Sequence, residues 1–195
     1  MILPVTAPET LDAVLQELGT FITEEIAATQ ISIGCLRTVA HHVLTDFESA
    51  EDQQATRLLG TEVPCGGWIA SVPGISGARA LVAEMADGGP THCRMTQQWI
   101  VRVYTGWDAE FRKRVAAAHG VDVNGVQADF FGDLRRLRND IVHHRGVVTK
   151  NNGARCKTIS NRRLTPGDPV YLRDDEFQQM HLRVPWAALV RLPGL

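Results

Sequence analysis

The sequence predicts a mainly α-helical protein: an antiparallel helical bundle over residues 1–150, with a small β annex, a hairpin, over residues 151–195 packed on it as one compact unit. Three observations lead there. Before Gly146, apolar residues recur every three or four positions through long stretches, the period of an amphipathic helix. Glycine and proline concentrate between Gly60 and Pro90, which marks a connection. After Gly146 the helical period gives way to short extended runs. At 195 residues the chain is long enough for one domain with a real core. Its 44% hydrophobic and 22% charged residues exclude the disordered and fibrous classes.

The first helix is set by Leu11, Val14, Leu15, Leu18, Phe21 or Ile22, and Ile26, with Pro8 just inside its start. A second periodic segment, Leu36, Val39, Ala40, Val43, Leu44 and Phe47, follows Gly34 and closes in the acidic run Glu48 to Asp52. The two segments form either one long kinked helix or two helices. From Gly60 to Pro90 the reading is mostly loop, with a short helix over Ala78 to Met85. Within it, Gly74-Ile75-Ser76-Gly77 lacks the preceding strand and the following Lys-Ser or Lys-Thr of a phosphate-binding loop, so it reads as a connecting turn.

The strongest helical pattern carries Trp99 and Val103, then Ile100, Tyr104, Trp107, Phe111, Val115 and Ala118, and stops at Gly120. An aromatic stripe at this spacing is core, so Trp99, Tyr104 and Trp107 read as packing. Only a few residues separate this helix from the next, which makes the two antiparallel neighbours. The next helix runs from Asn124 to Gly146, with Asn124 and Gln127 at capping-box spacing and Gly146 as a left-handed stop. Phe130, Leu134, Leu137 and Ile141, widened by Phe131 and Val142, form its apolar face. What remains is Arg135, Arg136, Arg138, Asn139, Asp140, His143, His144 and Arg145, more polar chemistry than a solvated face needs. Helix-end electrostatics account for part of it. Cations in a last turn gain about 0.3–1 kcal/mol from the helix dipole, and Asp140 is within reach of His143, His144 or Arg136.

Beyond Gly146, Cys156 to Ser160 and Val170 to Leu172 read as extended runs separated by Leu164-Thr165-Pro166-Gly167-Asp168, where Pro then Gly signals a type II turn. His181 to Val184 reads as a third strand, and Pro185 opens a last helical turn through Val190.

Met1-Ile2-Leu3-Pro4 has no basic region before it and no long apolar run after it, so no signal peptide of the usual form is expected. No segment approaches the roughly 20 apolar residues of a membrane helix. The expectation is a cytoplasmic protein without a membrane partner. Cys35, Cys65, Cys93 and Cys156 are scattered, and neither His92-Cys93 nor Cys35 with His41 and His42 has ligand spacing. Reduced, mostly buried thiols and no metal or other cofactor are expected.

Charge is segregated along the chain. Up to Glu62 many acids face only Arg37 and Arg57, whereas between Arg135 and Arg163 Asp140 is the single acid among Arg and Lys. The basic half presents a positive potential to a polyanion. Inside it, Arg138-Asn139-Asp140-Ile141-Val142-His143 has an Arg and a His five residues apart near a helix end. Arg37 and His42 repeat that spacing without the basic surroundings. Metal-free RNA cleavage needs a base for the 2'-hydroxyl, an acid for the leaving 5'-oxygen and a cation on the phosphorane. Histidine serves the first two near neutral pH and a guanidinium the third.

The run FFGDLRRLRNDIVHHRG, with its R-x4-6-H spacing and polar Asn139 after the Arg, resembles the fourth-helix region of HEPN (higher eukaryotes and prokaryotes nucleotide-binding) domains, over about residues 95–150. The resemblance implies an HEPN-like bundle and a metal-independent endoribonuclease that leaves a 2',3'-cyclic phosphate on single-stranded RNA, as a toxin or defence effector. It implies Arg138 on the scissile phosphate, His143 as general base or acid, and Asn139 orienting the imidazole or the phosphate. His144 also satisfies the spacing; His143 is preferred because Asn139 shares its face. Arg135, Arg136, His144, Arg145 and Lys150 are expected to bind RNA. On a regular helix Arg138 and His143 lie about 140° apart, so one helix does not easily bring both to one phosphate unless it unwinds near His143; the resemblance implies that two protomers bring their motifs together, and a homodimer is expected. Further expected partners are RNA and an antitoxin or regulatory protein. The alternative is a non-catalytic HEPN module that binds RNA, a nucleotide or a protein.

Overall fold

Thr10 caps the first helix: its hydroxyl accepts a hydrogen bond from the Ala13 N–H at 3.3 Å. In the computed structural model, which describes residues 9–49, 74–153, 155–160 and 164–192, helix α1 then runs unbroken over Leu11–Ser49. The two periodic segments are therefore one helix. Pro8, Cys65 and the readings for the stretch up to residue 73 lie outside the described residues. Helix α2 covers Gly74–Met85, so the tetrapeptide read as a turn begins a helix instead.

The chain divides into two compact units, Met1–Ala28 with Thr96–Leu195, and Thr29–Met95. In the second unit, the Arg37 guanidinium donates Nε–H to the Met85 carbonyl at 2.7 Å, which occupies it at the end of α2. The His92-Cys93 pair also has a structural task. His92 Nδ1 accepts the Gly88 N–H at 3.0 Å and the Cys93 thiol donates to the Gly88 carbonyl, locking the turn that leads into the next helix. Cys35 is exposed, against the expectation of burial, while Cys93 and Cys156 are buried.

In the first unit, Val14, Leu18, Ile22 and Ile26 of α1 share a core with Trp99, Ile100 and Val103 of α3 (Pro90–Gly106). Each such side chain, fully buried, contributes about 1.5–3 kcal/mol. Gly106 lets the two helices approach: a Cβ there would lie 2.8 Å from the Phe21 ring. The helix does not stop at Gly106. It passes through a π-helical turn, Trp107–Phe111, where the Arg112 N–H reaches back to the Trp107 carbonyl, and continues as α4 (Arg112–His119) to Gly120 at φ +67°. Arg114 on α4 gathers Glu9, Glu17 and Glu110 around its guanidinium, and this contact holds the Glu9 carboxyl below its ordinary range.

Helix α5 (Asp129–His143) packs antiparallel to α3 and its π turn. Trp107 stacks on Phe131 at 3.8 Å and 6°, near the start of α5, whereas Gln97, toward the start of α3, abuts Gly146 just past the end of α5.

The described residues after 150 do not show the expected hairpin. Among the described residues the β pairing is a single antiparallel bridge between Val147 and Pro169. The partner of the returning chain is thus the segment leaving α5: the Val148 N–H donates to the Asp168 carbonyl and the Val170 N–H to the Gly146 carbonyl. Cys156 to Ser160 is irregular. The type II turn is present, with the Asp168 N–H donating to the Thr165 carbonyl and Gly167 at φ +97°. His181 to Val184 belongs mostly to a helical turn, α8 (Met180–Arg183), which follows the short helices α6 (Lys150–Gly153) and α7 (Asp174–Gln178). There Met180 and Val184, four residues apart, are both buried while Leu182 is 73% exposed, so the period that counts is helical. Pro185 does precede a helix, α9 (Trp186–Val190). Ile159, Leu172, Phe177, Met180 and Leu189 complete the core of the first unit, with the Phe177 ring edge-on to Trp99. Among the described residues, no helix is long and apolar enough to cross a membrane.

Candidate functional site

Helix α5 starts four residues later than its capping-box letters suggest, with Ala128 rather than Asn124 at the N-cap position. Val126 is buried in an extended conformation, so the helix cannot begin before Ala128, whose side chain offers no cap. Asn124 sits instead in a 3-10 turn, its N–H donated to Asp122 at 2.8 Å, and Gln127 donates Nε2–H to the Asn124 carbonyl. The first amides of α5 are left without a side-chain partner.

The apolar face is as read, with Phe130, Phe131, Leu134 and Leu137 buried, except that Val142 is 49% exposed. Two carboxylates, Asp133 and Asp140, are buried beside that face. They lie seven residues apart, hence one above the other. Asp133 accepts the Lys157 and Thr158 N–H groups and the Thr158 hydroxyl, each at 2.7 Å, and pairs with Arg136 at 2.7 Å. Asp140 accepts the Thr149 N–H at 3.1 Å, its hydroxyl at 2.9 Å, and Asn152 Nδ2–H at 2.7 Å. Asp140 therefore serves the following loop, and its expected pairing with His143, His144 or Arg136 is not made. Cys156 lies against the Asp133 carbonyl; burial, then the Asp133 charge, push its thiol up to about 12, so it stays protonated near neutral pH.

The predicted site residues separate into two groups. Arg136 is committed to structure, to Asp133 and to the Arg155 carbonyl at 3.4 Å. Arg138 is half-buried and donates to Asn139 Oδ1 at 3.3 Å. By contrast Arg135, His143, His144, Arg145 and Lys150 are exposed, and their side chains make no hydrogen bond or ion pair among the described residues. Helix α5 is regular through His143, so Arg138 and His143 stay about 140° apart, while Asn139 and His143 share a face. The chain then turns sharply. The Asp140 carbonyl accepts both the His144 and Gly146 N–H groups, and Arg145 and Gly146 follow one another at φ +55° and +73°.

A cleft of about 560 Å³ opens over the first half of α5. Its lining includes Tyr104, Trp107, Asp108, Arg112, Asp129, Gly132, Arg135 and Arg136. Arg112 lies 3.6 Å from Asp108 and donates to the Val126 carbonyl. Partial burial, then Asp108, raise the Tyr104 phenol above its ordinary range. The reading of Tyr104 as pure packing is incomplete, since it also lines this cleft. Helical periodicity does not reveal this cleft, because its lining combines a π turn, the loop over residues 124–128 and the start of α5. The chain matches no family model, no curated protein and no solved structure.

Proposed function

We propose that the C-terminal end of α5 is an RNA site, and that the chain is a metal-independent endoribonuclease of HEPN type acting on single-stranded RNA as a toxin or defence effector. The observation that carries this reading is the division of labour on α5. Asp133, Asp140 and Arg136 are consumed by the fold, while His143, His144 and Arg145 are exposed and make no side-chain hydrogen bond or ion pair among the described residues, His143 sharing its face with Asn139. Cations that the fold does not use are available to a phosphate.

In the reaction a histidine takes the 2'-hydroxyl proton as the 2'-oxygen bonds to phosphorus. The bond from phosphorus to the 5'-oxygen breaks, that oxygen receives a proton from the acid, and a 2',3'-cyclic phosphate remains. Arg138 neutralises the phosphorane. Because Arg138 and His143 of one copy diverge, the Arg138 that serves a given His143 comes from a second copy in a homodimer.

The test is incubation of the pure protein with single-stranded RNA in excess EDTA. Cleavage by the wild type, lost in His143→Ala and Arg138→Ala while His144→Ala retains it, is the expected result; cleavage surviving His143→Ala sinks the assignment. A second reading is favoured by the Arg138 contact with Asn139, which keeps that guanidinium on its own helix: a module that binds RNA without cutting it. Salt-sensitive binding with no cleavage by the wild type selects it.

A further inference from the structure

We infer that the cleft over the first half of α5 seats one nucleotide of the same RNA strand, a few nucleotides from the bond that His143 addresses. This rests on the RNA-site reading above. At 100° per residue, Gly132, Arg135, Arg136, Asn139 and His143 fall within one 100° sector of α5, so the cleft and the histidine lie along a single stripe about 16 Å long. A strand following that stripe passes from one to the other.

Five features fit the cleft to a nucleotide. Its volume, about 560 Å³, is that of a small-ligand site. Arg135 lines it without a hydrogen bond or ion pair among the described residues. The amides of the uncapped first turn of α5 add positive potential at its rim, where Ala128 and Asp129 line it. These groups suit a phosphate. Asp108 and Asp129 would repel one, but as acceptors they suit the amino groups of a base. Finally, Gly132 lies inside α5, where glycine disfavours the helix, yet a Cβ there would meet nothing nearer than Arg136 Nη1 at 3.9 Å. Packing does not require this glycine, and the absence of a larger side chain leaves the cleft floor open.

The experiment measures binding of a fluorescent, uncleavable 2'-O-methyl hexanucleotide and of the matching dinucleotide to the full chain. The wild type should hold the hexanucleotide about tenfold more tightly. Gly132→Leu, which fills the floor, and Arg135→Ala, which removes an exposed cation, should each erase that advantage, whereas Gly132→Ala should keep most of it. Circular dichroism checks that each variant is folded. Gly132→Leu and Arg135→Ala proteins that are folded and retain the full advantage overturn the proposal, as does a wild type with no length preference. Failure of the cleavage reading is seen separately: ordinary RNA left uncut alongside an intact length preference removes the nuclease and keeps the cleft.

Discussion

A carboxylate enters a protein interior only with donors enough to replace water, and Asp140 has three, from Thr149 and Asn152. Asp140→Ala leaves those donors unpaired, a loss of about 2–4 kcal/mol in urea unfolding. His143→Ala, at an exposed position, should stay within about 0.5 kcal/mol of wild type in the same measurement. The contrast separates residues that hold the fold from those left over for a ligand. Arg135, His143, His144, Arg145 and Lys150 are exposed, whereas the partners expected for Asp140 are not the ones it has. Charge arithmetic favours the nearest cations, whereas burial selects neutral donors that arrive from nine and twelve residues downstream. Asp133 went unremarked for the same reason: two of its donors are backbone amides, which no side-chain pattern reveals.

At the scale of elements, the interiors of helices were more legible than their starts. The period of three and four located α1, α3 and α5, because burial of one face repeats with each turn. The start of α5 was misplaced because burial of Val126 outweighs the capping letters Asn124 and Gln127. The β annex was misread for a related cause. Cys156 to Ser160 is short enough for a strand, yet its amides at Lys157 and Thr158 turn to Asp133 rather than to a neighbouring strand. The stop at Gly146 was legible and is doubly determined. Its φ is +73°, and a Cβ would lie 2.6 Å from Gln97 Nε2, whose own hydrogen bond to the Val170 carbonyl ties the returning chain to α3. Gly146→Ala should therefore cost about 1–2 kcal/mol or more in thermal or urea unfolding, from the left-handed backbone plus the displaced Gln97.

At the scale of the whole molecule, the proposed nuclease needs two copies, and this has an arithmetic consequence. If each site takes Arg138 from one copy and His143 from the other, Arg138→Ala and His143→Ala proteins are inactive alone. Unfolded together and refolded as an equal mixture, half of the dimers are mixed and each mixed dimer has one intact site, which predicts about a quarter of wild-type cleavage. Activity near zero in a mixture verified to contain mixed dimers rules out the shared site. The charge segregation seen in the sequence belongs to this scale too, but only in part. Of the basic residues between Arg135 and Arg163, Arg136 serves Asp133, so fewer charges face an RNA than the count suggests.

The π turn at Trp107–Phe111 amounts to one residue more than an α-helix would use over the same length. Because a turn closed five residues back covers about the rotation that an α-helix makes with one residue fewer, removal of Ala109, an exposed member of it, would leave the helices on either side in register. The extra residue is absorbed where it stands, and its consequence is confined to the aim of the side chains in the turn itself, Asp108 of the cleft wall among them.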